Sequence, residues 1–334
     1  MNAHAQLVEA VLNSQGGEQR RHLAKAITLL ESTRADHRAQ ADDLLTAVLP
    51  HTGRSLRLGL SGVPGVGKST LIESLGLWLI DQGHKVAVLA IDPSSSVSGG
   101  SILGDKTRME YLSVKENAFI RPSPSSGTLG GVAEKTRECM LLCEAAGYDV
   151  IIVETVGVGQ SETTVSGMTD MFVMMQLPNA GDDLQAIKKG VMELADLVLI
   201  NKIDLDVDAA KRAQSFIESA MRLFHAPNHL AVDAALPQWI PNVLTLSALA
   251  GLGVENFWQQ VVKFKKIQMD NGQWNSRRHA QSLTWMNERI NTGLKQAFFA
   301  HPQIAQALPK FTQAVSDGKL APSTAARQLL GMWN

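Results

Sequence analysis

Apolar residues recur along the first fifty positions at helical spacing: Leu7, Val8, Val11 and Leu12, then Leu23, Ile27 and Leu30, then Leu44, Leu45 and Val48. Such recurrence describes helices that each bury one stripe. Gly16-Gly17 interrupts the first pair, so residues 1–50 are expected to form a small helical cap. From residue 56 the pattern changes to short, continuous apolar runs. These are Leu56–Leu60, Lys85–Ile91, Ala118–Arg121, Asp149–Glu154, Met171–Leu177, Asp196–Ile200 and Asn242–Leu246. Runs this short, apolar throughout and separated by helical stretches such as Leu71–Ile80 and Val132–Ala146, are strands covered on both faces. A strand, helix and strand joined tightly make a right-handed crossover, so the second strand should run parallel to the first. The expected fold is α/β, a mostly parallel seven-stranded sheet flanked by helices over residues 51–270.

Beyond Gly272 the pattern is helical and amphipathic. Leu283, Met286, Ile290 and Leu294 share one face, while Arg277, Arg278, Glu288, Arg289 and Lys295 lie outside it. That stripe must be buried, against its own domain or against a second subunit, and spacing is compatible with both. Residues 271–334 are expected to form a helical arm, completed by helices at Ala305–Val315 and Ala325–Trp333.

Composition narrows the class. A chain of 334 residues with 45% hydrophobic content can bury a large core, and a net charge of -1 provides no field that favours nucleic acid or an anionic membrane. Nothing approaches the roughly 18 uninterrupted apolar residues of a membrane span. Met1–Glu18 lacks a basic region followed by an apolar core, so a cytoplasmic location is expected. Cys139 and Cys143 lie one helical turn apart without a nearby histidine or acid cluster, which reads as packing. His22, His37 and His51 are too scattered to be ligands.

The chemistry gathers at strand ends. Gly62-Val63-Pro64-Gly65-Val66-Gly67-Lys68-Ser69-Thr70 fits the phosphate loop G-x-x-x-x-G-K-[ST] between a strand and a helix. The glycines admit positive φ and let backbone N–H groups approach phosphate at a helix N-terminus. Lys68 supplies a point charge, and Ser69 a hydroxyl for Mg²⁺, which takes few protein ligands. Asp92 ends the second strand at the edge where open α/β sheets bind ligands. The polar stretch from Ser94 to Arg108, with Asp105 and Arg108, reads as a switch loop. Glu154 ends a buried strand, two residues before Val156-Gly157, where a carboxylate can hold Mg²⁺ through water. Gln160 is a candidate for orienting water, with helix capping or solvation the alternatives. Asp182, Gln185 and Lys188 follow another strand and form a third candidate switch.

Asn201-Lys202-Ile203-Asp204 follows the sixth run and reads guanine: the Asp204 carboxylate can accept from both N1–H and the exocyclic amine. Adenine offers neither, and such a mismatch discriminates by about 10⁴ or more. Lys202 would lie along the base, and Asn201 would tie this loop to the phosphate loop. Ser247-Ala248-Leu249, after the seventh run, would bring backbone N–H groups to guanine O6.

Taken together, Gly62–Thr70, Asp92-Pro93-Ser94-Ser95, Asp105–Met109, Glu154–Glu162, Gly181–Gln185 and Asn201–Asp204 resemble the bacterial G-protein chaperones of adenosylcobalamin-dependent methylmalonyl-CoA mutase. The resemblance spans nearly the whole chain. It implies a homodimer formed through the C-terminal arm, slow GTP hydrolysis stimulated by the mutase, and control of cofactor loading and repair. It places Asp92, Asp105 and Glu154 around Mg²⁺ and the γ-phosphate, and makes Asp182 and Lys188 the residues that sense the mutase. Glu154 stands where phosphate-loop GTPases usually carry Asp, and reaches one methylene further. The all-parallel sheet expected of this branch differs from Ras-like GTPases, whose second strand pairs antiparallel.

Two other readings are weighed. A metal-delivery GTPase of the urease or hydrogenase maturation kind shares the sheet and the glutamate but usually carries a His-rich tract or a cysteine ligand set, which this chain lacks. Proteins of the resembled kind have also been labelled kinases of the lysine, arginine and ornithine transport system. Against that reading, Asn201–Asp204 select GTP over ATP, and the H-R-D and D-F-G signatures of protein kinases are missing.

Overall fold

Seven runs of aliphatic residues become seven strands: β1 (Leu56–Gly62), β2 (Val86–Ile91), β3 (Ala118–Ser123), β4 (Val150–Thr155), β5 (Met171–Gln176), β6 (Leu197–Ile200) and β7 (Asn242–Thr245). The structure is a computed structural model that describes residues 3–32, 34–91, 109–123, 129–155, 161–178, 189–224 and 237–333. The strands form one sheet in the order β3-β2-β4-β1-β5-β6-β7, with every neighbouring pair parallel. The second strand is parallel to the first, as its crossover requires, with β4 lying between them. All residues of β2, β4 and β5 are buried, which explains why these strands are apolar without alternation up to the polar residues that end β4 and β5, Glu154-Thr155 and Gln176.

The helices are α1 (Ala3–Asn13), α2 (Gly16–Glu31), α3 (Ala35–Val48), α4 (Lys68–Asp81), α5 (Glu110–Ser113), α6 (Leu129–Ala145), α7 (Ser161–Ser166), α8 (Lys189–Met192), α9 (Val207–Phe224), α10 (Val254–Asp270), α11 (Gln273–Ala300), α12 (Pro302–Ser316) and α13 (Pro322–Gly331). Among them α2 and α6 cover one face of the sheet and α4 and α10 the other, and strand residues divide with them. Ile151 and Val153 pack with Leu23 and Ile27 of α2 and Leu142 of α6, whereas Leu58, Leu60 and Ile152 pack with Leu71 and Leu75 of α4 and Phe257 of α10. The N-terminal helices therefore share a core with the sheet. Gln19 fastens them further, its buried carboxamide donating to the carbonyls of Ala146 at 2.8 Å and Val11 at 3.3 Å. Gly59 lets α7 approach, since a Cβ there would stand 2.7 Å from Val165 and Thr169.

Ion pairs close the amino-terminal edge of the sheet. Buried Glu144 accepts from the Gly53 N–H, the Ser55 hydroxyl and the Arg57 guanidinium. Burial works against its charge, but Arg57, Ser55 and Gly53 together outweigh that and hold its carboxyl below the ordinary range. Arg278 clasps Asp170 with two bonds of 2.6 and 2.7 Å, also donates to the Gly53 and Ser55 carbonyls, and lies over the Trp274 ring at 4.8 Å. Arg277 holds Asp196 in the same two-pronged way. With this edge filled, the opposite rim is left for chemistry.

The chain forms one compact unit through Arg278 and a second from His279 onward. In the second unit Ile304, Ala325 and Leu329 are buried, and the Phe298 ring meets Phe299 and Trp333 at 5.2 and 5.7 Å. Leu283, Met286, Ile290 and Leu294 remain 48–60% exposed. No helix among the described residues is long and apolar enough to cross a membrane.

Candidate nucleotide site

At the carboxyl end of β1 the chain turns through the phosphate loop and enters α4 at Lys68, so Lys68, Ser69 and Thr70 make the first helical turn. Gly65 and Gly67 have φ values of 78° and 95°, which favour glycine. Size matters as well at Gly67, where a Cβ would stand 2.5 Å from the Asn201 side-chain nitrogen. The Val66 N–H closes on the Val63 carbonyl at 3.2 Å, and the Lys68 ammonium folds back to the Gly62 carbonyl at 2.7 Å. Lys68 is only 9% exposed and crosses the loop from within. The opening turn of α4, with its outward N–H groups and positive dipole end, faces the rim and suits an anion.

Glu154 lies on β4, the strand next to β1. It is level with Leu60 of β1 and Ala90 of β2, and strand alternation after Val150 and Ile152 places it on the sheet face that α4 covers. It is 3% exposed. A hydroxyl on the first turn and a buried carboxylate on the same face form an oxygen donor set of the kind hard cations take, so Ser69 and Glu154 fit Mg²⁺. No cluster of three or more His, Cys, Asp or Glu side chains suited to a metal occurs among the described residues.

The base side is built by three loops joined through one residue. Asn201, 2% exposed, donates through Nδ2 to the Val66 carbonyl at 2.8 Å and accepts the Ala248 N–H on Oδ1 at 2.9 Å. The Ile203 N–H reaches the Leu246 carbonyl at 3.3 Å, and Ser247 and Leu252 exchange backbone bonds of 3.0 and 3.1 Å. Asn201 thus links the phosphate loop to both base loops. Lys202 has a φ of 65°, the one positive value at a non-glycine among the described residues. Such a conformation is unfavourable by about 1 kcal/mol or more and persists where surrounding structure enforces it. Asp204 is exposed and available, whereas Asp206 caps α9 through the Ala209 N–H at 2.8 Å.

Three consecutive amides, of Ser247, Ala248 and Leu249, are the ones expected at guanine O6. The Ser247 and Ala248 N–H groups already have acceptors in Leu252 and Asn201, leaving the Leu249 N–H without one among the described residues. Leu249 itself is 84% exposed. Asp92, Asp105, Arg108, Gln160, Asp182, Gln185 and Lys188 lie outside the described residues. Cys139 and Cys143 are buried on α6, and burial pushes both thiols up, in keeping with packing.

Two features of the rim carried no motif. The Ser61 and Thr155 hydroxyls, both fully buried, bond at 3.0 Å and join the residue before the phosphate loop to the residue after Glu154. Gln176, 1% exposed, takes the Asn201 N–H on its backbone carbonyl, while its side-chain nitrogen has no partner among the described residues. The available signal was a polar residue ending an apolar strand, since buried polar groups require partners.

Comparison with known proteins adds four findings. The profile of the family described as methylmalonyl Co-A mutase-associated GTPase MeaB matches residues 23–303. The GTPase ArgK of Escherichia coli is 46% identical over 325 residues, covering 97% of this chain and 96% of that protein. The mouse (Mus musculus) mitochondrial methylmalonic aciduria type A homolog is 45% identical over 323 residues, covering 93% and 76%. Among solved structures, a crystal structure described as LAO/AO transport system kinase aligns with a TM-score of 0.75 and 38% identity, over 99% of this chain and 98% of the other.

Proposed function

This chain belongs to the MeaB family of methylmalonyl-CoA mutase-associated GTPases, and on that premise we propose that it binds and hydrolyses GTP with Mg²⁺ and serves as a chaperone of an adenosylcobalamin-dependent methylmalonyl-CoA mutase. The observation that carries the nucleotide reading is the Asn201 bridge, which holds a triphosphate cradle and a purine reader on one rim. The family description and the name of the mouse relative support the partner.

In this reading the loop amides and the start of α4 receive the β-phosphate, and Lys68 turns from the Gly62 carbonyl towards the β- and γ-phosphates. Ser69 and Glu154, with Asp92 and Asp105, hold Mg²⁺, which when bound neutralises charge that develops on the phosphates. Water forms a bond to the γ-phosphorus as the bond to the β–γ bridging oxygen breaks, giving GDP and phosphate. Arg108 stabilises charge, and Gln160 orients the water. Asp204 accepts from guanine while Lys202 covers the ring. Asp182, Gln185 and Lys188 sense the mutase, so that nucleotide state controls cofactor loading and protects or reactivates that enzyme. Two copies pair through the exposed face bearing Leu283, Met286, Ile290 and Leu294, and act in the cytoplasm.

The test is hydrolysis of GTP and ATP with Mg²⁺, with and without an adenosylcobalamin-dependent methylmalonyl-CoA mutase, in wild type and Lys68→Ala. Guanine-selective turnover that the mutase accelerates and Lys68→Ala abolishes is expected. Equal use of ATP would refute the base reading, and indifference to the mutase would refute the partner.

A further inference from the structure

The phosphate-loop helix does more than present Lys68 and Ser69. One turn beyond Ser69, Glu73 accepts the Tyr111 N–H at 2.8 Å and the Leu112 N–H at 3.3 Å, both on the same carboxylate oxygen. These amides belong to α5, four residues long, whose leading N–H groups have no partner within so short a helix. A carboxylate satisfies them and also suits the positive end of the turn.

Packing repeats the connection. Leu112 is fully buried with its methyl carbons over Gly76 of α4, where a Cβ would stand 2.7 and 2.9 Å from them. Met109 is fully buried, whereas Tyr111 and Val114 are 69% and 75% exposed. The turn is thus attached to α4 by the Leu112 side chain and one carboxylate. Met109 directly follows Arg108 in the chain, and Asp105 precedes it by four positions.

We infer that Glu73 is a positioning residue for GTP hydrolysis: it fixes, from the helix that carries Lys68 and Ser69, the turn that follows Asp105 and Arg108 in the chain. The inference rests on the roles given to those two residues under the proposed function. Glu73 touches neither nucleotide nor metal. Its influence belongs to the transition state, where Arg108 acts, and leaves GDP binding to the phosphate loop and base loops.

The experiment compares Glu73→Ala, Glu73→Gln, Arg108→Ala and the double variant Glu73→Ala/Arg108→Ala by single-turnover GTP hydrolysis and by GDP titration, with Mg²⁺ present. Loss of charge-assisted hydrogen bonds should lower the hydrolysis rate of Glu73→Ala about tenfold while GDP Kd stays within about threefold. Glu73→Gln, which keeps a carbonyl acceptor, should recover most of the rate, and the double variant should be no slower than Arg108→Ala. Gly76→Ala gives a second route should Glu73→Ala not fold: alanine favours the helix yet displaces Leu112, so hydrolysis should fall with GDP binding kept. A wild-type rate in Glu73→Ala with Arg108→Ala impaired overturns the positioning role alone. So does a GDP affinity that falls in step with the rate, or a Glu73→Gln as slow as Glu73→Ala. Wild-type hydrolysis in Arg108→Ala overturns the role given to Arg108 under the proposed function, and the inference with it.

Discussion

Replacing Asn201 by alanine should damage stability and nucleotide binding together. The side chain is 2% exposed and makes bonds of 2.8 Å to the Val66 carbonyl and 2.9 Å from the Ala248 N–H. Truncation strands both groups, and a buried unsatisfied group costs about 1–3 kcal/mol, so the pair costs about 2–6 kcal/mol. Water entering the vacated polar space recovers part of this, and about 3 kcal/mol is a reasonable centre. For a unit of this size each kcal/mol lowers Tm by roughly 2–4 °C, which gives a fall of about 6–12 °C. Binding suffers because the phosphate loop and the 247–249 loop lose their common tie, and a similar energy expressed in affinity raises GDP Kd on the order of 100-fold. Calorimetric melting of the nucleotide-free protein and titration with GDP and Mg²⁺ read the two effects separately. A variant melting within about 2 °C of wild type, with Kd within about threefold, would show that the bridge is not what holds the rim together.

Asp204→Asn should weaken GTP by about 100-fold or more and improve xanthine nucleotide, whose O2 can accept from the new amide; unchanged GTP preference in competition titrations would contradict base reading by Asp204. Glu144→Gln should cost about 3 kcal/mol at neutral pH by breaking the buried pair with Arg57. Since the folded Glu144 carboxyl lies below its ordinary 4.5, its contribution is present above pH 4.5 and is lost as pH falls through the folded value. The gap between wild type and variant in urea unfolding should therefore narrow below pH 4.5, and a gap that widened there would refute the assignment. Ile290→Asp should shift sedimentation from dimer towards monomer while leaving the melting of the first unit unchanged, and an unaltered dimer would exclude that face.

Strands were legible because parallel strands buried on both faces read as near-continuous apolar runs, as in residues 86–91 and 150–153. Their boundaries were less so: β1 runs on to Gly62 and α4 starts at Lys68, because the loop's polar residues double as strand end and helix start. Local motifs carried the phosphate loop, whose residues are consecutive and whose glycines are required by φ or by close approach. Glu73 and Gln19 were not legible. They meet partners 38 and 127 positions away, at Tyr111 and Ala146, and a single Glu or Gln on a helix face has no spacing that announces such a contact.

The two halves of the nucleotide site depend on the fold in different ways. The proposed phosphate cradle lies on one contiguous strand–loop–helix, from β1 to α4. The proposed base reader joins the segments that follow β6 and β7, separated by α9, and these meet the phosphate loop because β5 lies between β1 and β6 in the sheet. The register matters here: Gly62 is level with Met175, and Gln176 with Ile200, so the strand ends rise stepwise and bring Asn201 over Val66. A carboxamide is the side chain that can donate to one loop and accept from the other. Aspartate at 201 would keep the acceptor for Ala248 but set a negative oxygen against the Val66 carbonyl, and leucine would offer neither bond. The base reader is therefore coupled to the phosphate cradle through hydrogen-bond polarity rather than bulk, which is why the consecutive positions 201 and 202 combine a fully engaged amide with an enforced left-handed backbone.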